Sequence, residues 1–253
     1  MAPRVLLTRP RDDAAADAVT LEQKGYQTTI EPLLVIEPIA AMLDLAAAQA
    51  VLATSANGVR ALAAAVATRD VPMFAVGDAT ARVACDAGFT SVNSAAGDSR
   101  DLARLIAATL DPKAGPLVHV AGEDVAGDLA ESLSGRGFAV LRRVLYRARA
   151  RAALTPDVAR AIKDGAIDAV LFFSPRSART FVSLMTAARL APARAGMAAI
   201  CLSRAVADAA TSAEDGAEKA VAWRAVCVAA RPDRAALFEA LDAWKVQQFT
   251  GSS

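Results

Sequence analysis

Histidine occurs once, cysteine three times, and aromatic residues make up only 5% of the 253 residues. The single histidine, His119, leaves a Ser-His-Asp triad or a histidine-built metal site almost nothing to stand on. It lies inside the apolar run Pro116–Ala121 and reads as a satisfied core or edge residue. Cys85, Cys201 and Cys227 form no CxxC pair and are odd in number, so buried free thiols are expected rather than a disulfide or zinc site. Scarce aromatics leave no base-stacking platform. Lys+Arg 28 against Asp+Glu 27, a formal net charge of +1, argues against a nucleic-acid or membrane-surface partner held by bulk charge. No apolar run approaches the roughly 20 residues of a membrane span. Met1-Ala2-Pro3-Arg4-Val5 enters a strand-like run without the regions of a signal peptide, so the expected location is cytoplasmic.

What is present is a chain 55% hydrophobic and 22% charged, enough to exclude disorder and to fill a sizeable core. Its length allows one large domain or two small ones. Short aliphatic runs predict strands over Arg4–Thr8, Gln27–Glu31, Val51–Thr54, Met73–Val76, Leu117–Ala121, Ala139–Arg142, Ala169–Phe173, Ala198–Leu202 and Ala225–Ala229. Nearly all-apolar strands are those buried on both faces of a parallel sheet. Ala-rich helical stretches lie between them, among them Asp13–Lys24, Ala56–Ala67, Ala79–Ala87, Leu102–Thr109, Ala126–Gly135 and Arg234–Ala243. Alternation of this kind predicts an α/β fold with right-handed crossovers.

The chain also repeats itself. Val5–Pro10 through Gly25-Tyr26 to Leu33–Pro38 parallels Leu117–Gly122 through Gly137-Phe138 to Leu145–Ala150. Ala50–Asn57 parallels Ala169–Arg176, and Met73–Gly77 parallels Ala199–Ser203. The order is unit a, unit b, unit a′, unit b′. Tandem pairing of a with b and a′ with b′ fits, and so does a with b′ and b with a′, which makes the first domain discontinuous. Each a-type unit is followed by a surplus extended stretch, Leu33–Pro38 and Val144–Arg149, which suits two antiparallel connectors. Pattern alone does not separate the two pairings.

Seven short stretches, in this order, resemble the uroporphyrinogen-III synthase family. They are Thr8-Arg9-Pro10, Pro32–Pro38, Thr54-Ser55-Ala56-Asn57-Gly58-Val59, Val76-Gly77-Asp78-Ala79-Thr80, Ala121-Gly122-Glu123-Asp124, Val144-Leu145-Tyr146-Arg147 and Phe172-Phe173-Ser174-Pro175-Arg176-Ser177. The resemblance departs at Cys201-Leu202-Ser203-Arg204, where the family has a Gly-x-Thr turn and Ser203 would have to supply the hydroxyl. It implies two flavodoxin-like, doubly wound parallel-sheet lobes joined by a two-stranded antiparallel connector, with an active cleft between them. The first lobe would comprise residues 1–32 and 152–253, the second 40–141, and the connectors 33–39 and 142–151. The implied partner is a small-molecule linear tetrapyrrole, hydroxymethylbilane, with eight carboxylates. The implied reaction is its cyclisation with loss of water and inversion of ring D, by a monomer without cofactor or metal.

A polycarboxylate needs many donors, and in open α/β sheets ligands bind beyond the carboxyl ends of strands. The turns there hold the expected substrate contacts: Thr8, Arg9, Thr54, Ser55, Asn57, Gly77, Asp78, Ala79, Thr80, Gly122, Glu123, Asp124, Ser174, Pro175, Arg176, Ser177 and Ser203. Each turn enters a helix whose free N–H groups and dipole favour anions. Equally, Thr8, Ser55, Asp78 and Ser174 can be plain N-caps, Asp124 a helix cap, and the arginines solvated charges. Gly77-Asp78-Ala79 lacks the GxGxxG pattern of a dinucleotide loop. Over Arg142–Arg151, strict alternation puts residues 143, 145, 147, 149 and 151 on one face and Tyr146 on the other. A phenol there can donate to a departing hydroxyl, which makes Tyr146 the candidate catalytic residue; the alternative is a tyrosine that seals a hinge. The rival function is a non-catalytic bilobal binding module for an anionic metabolite, and a small two-lobed glycosyltransferase is a second.

Overall fold

A computed structural model of the chain describes residues 2–124, 128–212 and 222–249. Neighbouring residues of each apolar run serve different cores. In β1 (Arg4–Leu7), Leu6 packs with Val170 and Phe172, whereas Val5 and Leu7 pack with Ala169 and Leu171. A strand covered on both sides has no position for a polar residue, which is why these runs read as unbroken hydrophobic stretches.

The chain divides into two compact units, Met1–Val35 with Ala150–Ser253, and Ile36–Arg149. The first is a five-stranded sheet of β1, β2 (Gln27–Ile30), β9 (Ala169–Phe172), β10 (Ala198–Cys201) and β11 (Ala225–Val228). All its pairings are parallel, in the order β2-β1-β9-β10-β11. Helices α1 (Arg11–Gln23) and α9 (Arg234–Phe249) fill one face; α6 (Pro156–Lys163), α7 (Pro175–Ala187) and α8 (Arg204–Thr211) fill the other.

The second unit carries β4 (Ala50–Ala53), β5 (Met73–Ala75), β6 (Val92–Ser94), β7 (Leu117–Gly122) and β8 (Val140–Ala150), in the order β8-β7-β4-β5-β6. Helices α2 (Ala56–Ala65) and α3 (Asp78–Asp86) pack on one face, α4 (Ser99–Thr109) and α5 (Leu129–Ser134) on the other. Strand β3 (Leu34–Pro38) adds to the outer edge of β8. Ile39 N–H donates to the Leu145 carbonyl and Arg151 N–H to the Leu33 carbonyl, so β3 and β8 run antiparallel. Taking β7, β8, β4, β5, β6 as strands one to five gives the same 2-1-3-4-5 order as β1, β2, β9, β10, β11. The strand order therefore reverses between β1 and β9 in one sheet, and between β7 and β4 in the other.

Several boundaries differ from the sequence reading, each for a local reason. Ala139–Arg142 and the stretch after it form one 11-residue strand, β8, because its far half pairs with β3. α4 starts at Ser99, fixed by a capping box between Asp98 and Asp101. α5 starts at Leu129, after Asp128; the expected start at Ala126, and with it the expected cap from Asp124, falls outside the described residues. Helix α9, expected to end at Ala243, runs on to Phe249. The last turns are anchored by buried Trp244 and by Asp242, which accepts from both Lys24 and the Tyr26 hydroxyl at 2.7 Å; residues 250–253 lie outside the described residues. All three cysteines are free, but only Cys201 is buried; Cys227 is half-buried and Cys85 exposed. Among the described residues no helix is long and apolar enough to cross a membrane.

His119 lies in β7 between Leu52 of β4 and Arg142 of β8 and is 4% exposed. Burial, helped by the nearby Arg142 charge, pushes its pKa down to about 4. The folded protein therefore excludes a proton that the unfolded chain binds below about pH 6.5. Stability should fall as the pH drops from about 6.5 to 4, by on the order of 3 kcal/mol. Urea unfolding across this range should show the loss, and His119→Gln should show a smaller one; equal pH slopes would contradict the burial account.

Candidate active site

The strand-end turns converge most closely where β7 meets β4. Ser55 follows β4 and caps α2, its Oγ accepting the Gly58 N–H at 3.1 Å. Gly58 itself passes close to β7, since an added Cβ would lie 3.0 Å from the Val120 carbonyl oxygen. The Ser55 Oγ lies 2.8 Å from the Tyr146 hydroxyl. Thr54, one residue earlier, has its Oγ1 3.3 Å from His119 Nε2.

Tyr146 reaches this point through an irregularity in β8. Ala121 of β7 pairs with Val144, but the next residue, Gly122, pairs with Tyr146. One residue, Leu145, is looped out of register, a bulge of the kind that re-aims a side chain. Strict alternation would set Leu145 and Tyr146 on opposite faces of the sheet. Instead Leu145 packs in the α2–α3 core and the buried Tyr146 carries its hydroxyl to Ser55, the cap of α2. The ring lies on Gly122: a Cβ there would stand 2.8 Å from Cε2 and Cζ and 3.0 Å from the hydroxyl oxygen. The turn is tied to β8 by the Glu123 N–H, which donates to the Tyr146 carbonyl at 2.9 Å. Arg142 adds bonds to the Gly122 carbonyl at 2.7 Å and the Glu123 carbonyl at 3.0 Å. Arg147 and Arg149 instead face Glu37, at 3.6 and 2.8 Å.

The remaining expected residues of this unit sit at the same strand ends. The Asn57 side-chain carbonyl accepts from Arg60 at 3.0 Å. Gly77, not Asp78, is the cap of α3; Asp78 opens the helix and accepts from Ser94 at 2.7 Å. Ala79 and buried Thr80 complete that first turn, with the Thr80 N–H bonded to the Gly77 carbonyl. Glu123 and Asp124 are exposed.

In the other unit, Ser174 caps α7, its Oγ accepting the Ser177 N–H at 3.1 Å and lying 2.9 Å from the Ser177 hydroxyl. Pro175 and Arg176 form the intervening turn of helix. Ser203 precedes α8, and its hydroxyl makes no capping bond to that helix. Two expectations change here. Thr8 does not cap a helix: it is 1% exposed and its hydroxyl donates to the Leu171 carbonyl at 2.7 Å, joining β1 to β9. Arg9 turns back on Asp13 and Asp17, at 3.1 and 3.2 Å, and lies 4.4 Å over the Phe173 ring. Asp17 is 1% exposed, and burial raises its pKa against the pull of Arg9 and Arg234. A carboxylate this buried needs its cations, so Arg9 has a structural task.

Among the described residues no group of three or more His, Cys, Asp and Glu side chains could hold a metal ion. Arg142 is the residue that sequence reasoning missed. No signal in the sequence points to it, because the register shift at Leu145 lies between Arg142 and Tyr146. Replacing Gly122 by Ala should displace the Tyr146 ring and destabilise the protein by about 1–3 kcal/mol, the usual range for overpacking. Urea unfolding checks this, and an unchanged midpoint would show that the ring yields freely.

The sequence matches the family model described as uroporphyrinogen-III synthase HemD over residues 15–239. No curated protein matches it significantly. Among solved structures, a uroporphyrinogen-III synthetase from Helicobacter pylori is similar with a TM-score of 0.61 at 15% identity, covering 96% of this chain and 100% of that one. A mutant uroporphyrinogen III synthase from the extremely thermophilic bacterium Thermus thermophilus gives 0.51 at 22% identity, covering 98% and 100%. Those likenesses concern the fold, with its two parallel sheets; the family match spans α1 to α9, and on that ground the chain belongs to the uroporphyrinogen-III synthase HemD family.

Proposed function

We propose that this protein cyclises hydroxymethylbilane to uroporphyrinogen III, with inversion of ring D and release of one water. The observation that carries the reading is the Tyr146 hydroxyl, held 2.8 Å from Ser55 at the strand-order reversal of a sheet whose family makes this product. Ser55 already accepts the Gly58 N–H. Either hydroxyl can donate across the 2.8 Å contact; the proposed arrangement has Ser55 donate to the phenol oxygen, so that the phenol O–H is left for a third partner. That partner is the hydroxymethyl oxygen of ring A.

As the carbon–oxygen bond breaks, the phenol supplies a hydrogen bond to the departing hydroxyl, which leaves as water. The pyrrole nitrogen of ring A feeds electrons into the new exocyclic double bond. The substituted α-carbon of ring D attacks that methylene and forms a spiro centre. The older bond from that carbon to the methylene borne by ring C breaks, leaving ring C with an exocyclic double bond to that methylene, and the free α-carbon of ring D attacks the methylene and closes the ring. That carbon then loses a proton, which balances the one taken by the water. The uninverted closure is the reaction the substrate undergoes unaided, so selectivity depends on how the chain is folded and shielded while the cation exists.

The acetate and propionate carboxylates are received by helix-entry turns with free N–H groups and hydroxyls. Thr54, Asn57 and Gly77–Thr80 serve in one unit, Ser174–Ser177 and Ser203 in the other, while the Ser55 hydroxyl stays committed to Gly58 and Tyr146. Thr8, bonded to the Leu171 carbonyl, and Arg9, paired with Asp13 and Asp17, serve structure in this reading and are not donors to substrate. The protein works in the cytoplasm as a monomer.

Tyr146→Phe keeps the ring and deletes the donor. It should remain folded and lose on the order of tenfold to a thousandfold in turnover, while the isomer III fraction stays close to that of the parent. Unchanged turnover would return Tyr146 to a packing role. Ser174→Ala should instead cost about 1 kcal/mol of stability through its lost cap, with a smaller fall in turnover than Tyr146→Phe. A complete loss of activity in a folded Ser174→Ala protein would give that hydroxyl a chemical role and overturn the distributed-contact reading.

A further inference from the structure

We infer that Arg142 is a positioning residue for Tyr146, setting the place of the phenol by clamping the Gly122-Glu123 turn on which the ring lies. The inference deepens the proposed cyclisation and rests on it only for its catalytic consequence.

The geometry runs through three contacts. The Arg142 guanidinium reaches from β8 to the carbonyl oxygens of Gly122 and Glu123, at 2.7 and 3.0 Å. Gly122 ends β7, and Glu123, the residue after it, is exposed. The Glu123 N–H is already committed to the Tyr146 carbonyl. The turn thus has one bond to the backbone beside Tyr146 and two to a charged side chain four residues upstream. Bonds to a charged group are the stronger kind.

The ring position depends on that turn because nothing else fills the space between them. Gly122 has no side chain, and the ring occupies the volume a methyl group would need. A small outward movement of Gly122 would open a gap under the ring. The ring would then follow it, and the 2.8 Å contact with Ser55 would lengthen. The bulge at Leu145 makes the clamp more important, since regular ladder bonds are interrupted there. Arg142 pairs with His119 just before the bulge and spans it by its side chain. Arg147 and Arg149, beyond the bulge, face Glu37 and are not available for this task.

The test uses the fact that the chain has two tyrosines, Tyr26 and Tyr146. The full-length protein is labelled with tyrosine carrying ¹³C at the ring ε positions, and spectra are compared for the parent, Arg142→Gln and Arg142→Lys. The Tyr146 signal should shift or broaden in Arg142→Gln, the Tyr26 signal should not, and Arg142→Lys should restore part of the parental position. Turnover should fall about threefold to thirtyfold in kcat, with KM little changed, and recover partly in Arg142→Lys. An unmoved Tyr146 signal with reduced turnover would overturn the inference and make Arg142 a direct substrate contact. A moved signal with unchanged kcat would leave Arg142 as the positioner and sink the catalytic role of Tyr146 instead. If Arg142→Gln does not fold, Arg142→Lys alone decides, since a parental Tyr146 spectrum and parental kcat in that variant would contradict a two-carbonyl clamp.

Discussion

A phenol ring resting on a glycine, at the point where a sheet changes strand order, is the contact around which the second unit is arranged. The reversal between β7 and β4 leaves a crevice at their carboxyl ends. Gly122 ends one strand and Ser55 follows the other, and Tyr146 spans the two from β8. Any side chain at position 122 would fill the space that the ring needs. Any loss of the β8 bulge would put Leu145 opposite Gly122 in place of the tyrosine. The hydroxyl is thereby held by a scaffold of strands, which is stiffer than a loop.

The two units solve the same packing problem with different side chains at the reversal. In the unit of β1 and β9, Thr8 spends its hydroxyl on the Leu171 carbonyl, and Arg9 is committed to Asp13, Asp17 and the Phe173 ring. That end of the sheet is closed by its own network. In the unit of β7 and β4, Val120 and Ala121 stand at the repeat positions of Thr8 and Arg9 and carry neither hydroxyl nor charge. Gly122, which ends β7, leaves its space to Tyr146. The repeat unit therefore appears twice, with Thr8 and Arg9 bonded within their own unit in one copy and a buried tyrosine hydroxyl beside Ser55 in the other.

Both sheets were legible in the sequence because each central strand is covered on two faces, as at Val5-Leu6-Leu7 and Ala169-Val170-Leu171. The family resemblance was legible for a related reason: its short stretches are strand ends and helix entries, fixed by backbone geometry. The edge strand Val92-Asn93-Ser94 was not, because it has a single partner strand and keeps polar residues. Register was the other blind spot. Alternation along Arg142–Arg151 assumes an unbroken ladder, and the looped-out Leu145 breaks it. Without the register nothing in the sequence says that Arg142 and Gly122 meet. The Thr8 hydroxyl misled for the same reason, since only the β1–β9 pairing brings the Leu171 carbonyl beside it. Asp98 and Asp101 were readable as a capping box, and their acidic pair three residues apart marks the start of α4.

The central claim is that this scaffold turns a linear tetrapyrrole into the inverted macrocycle. Fresh hydroxymethylbilane incubated with the purified protein, followed by oxidation and separation of the uroporphyrin isomers, tests it directly. The account predicts that isomer III dominates and that its share rises with protein concentration. Isomer I alone, in the amount formed without protein, would contradict it.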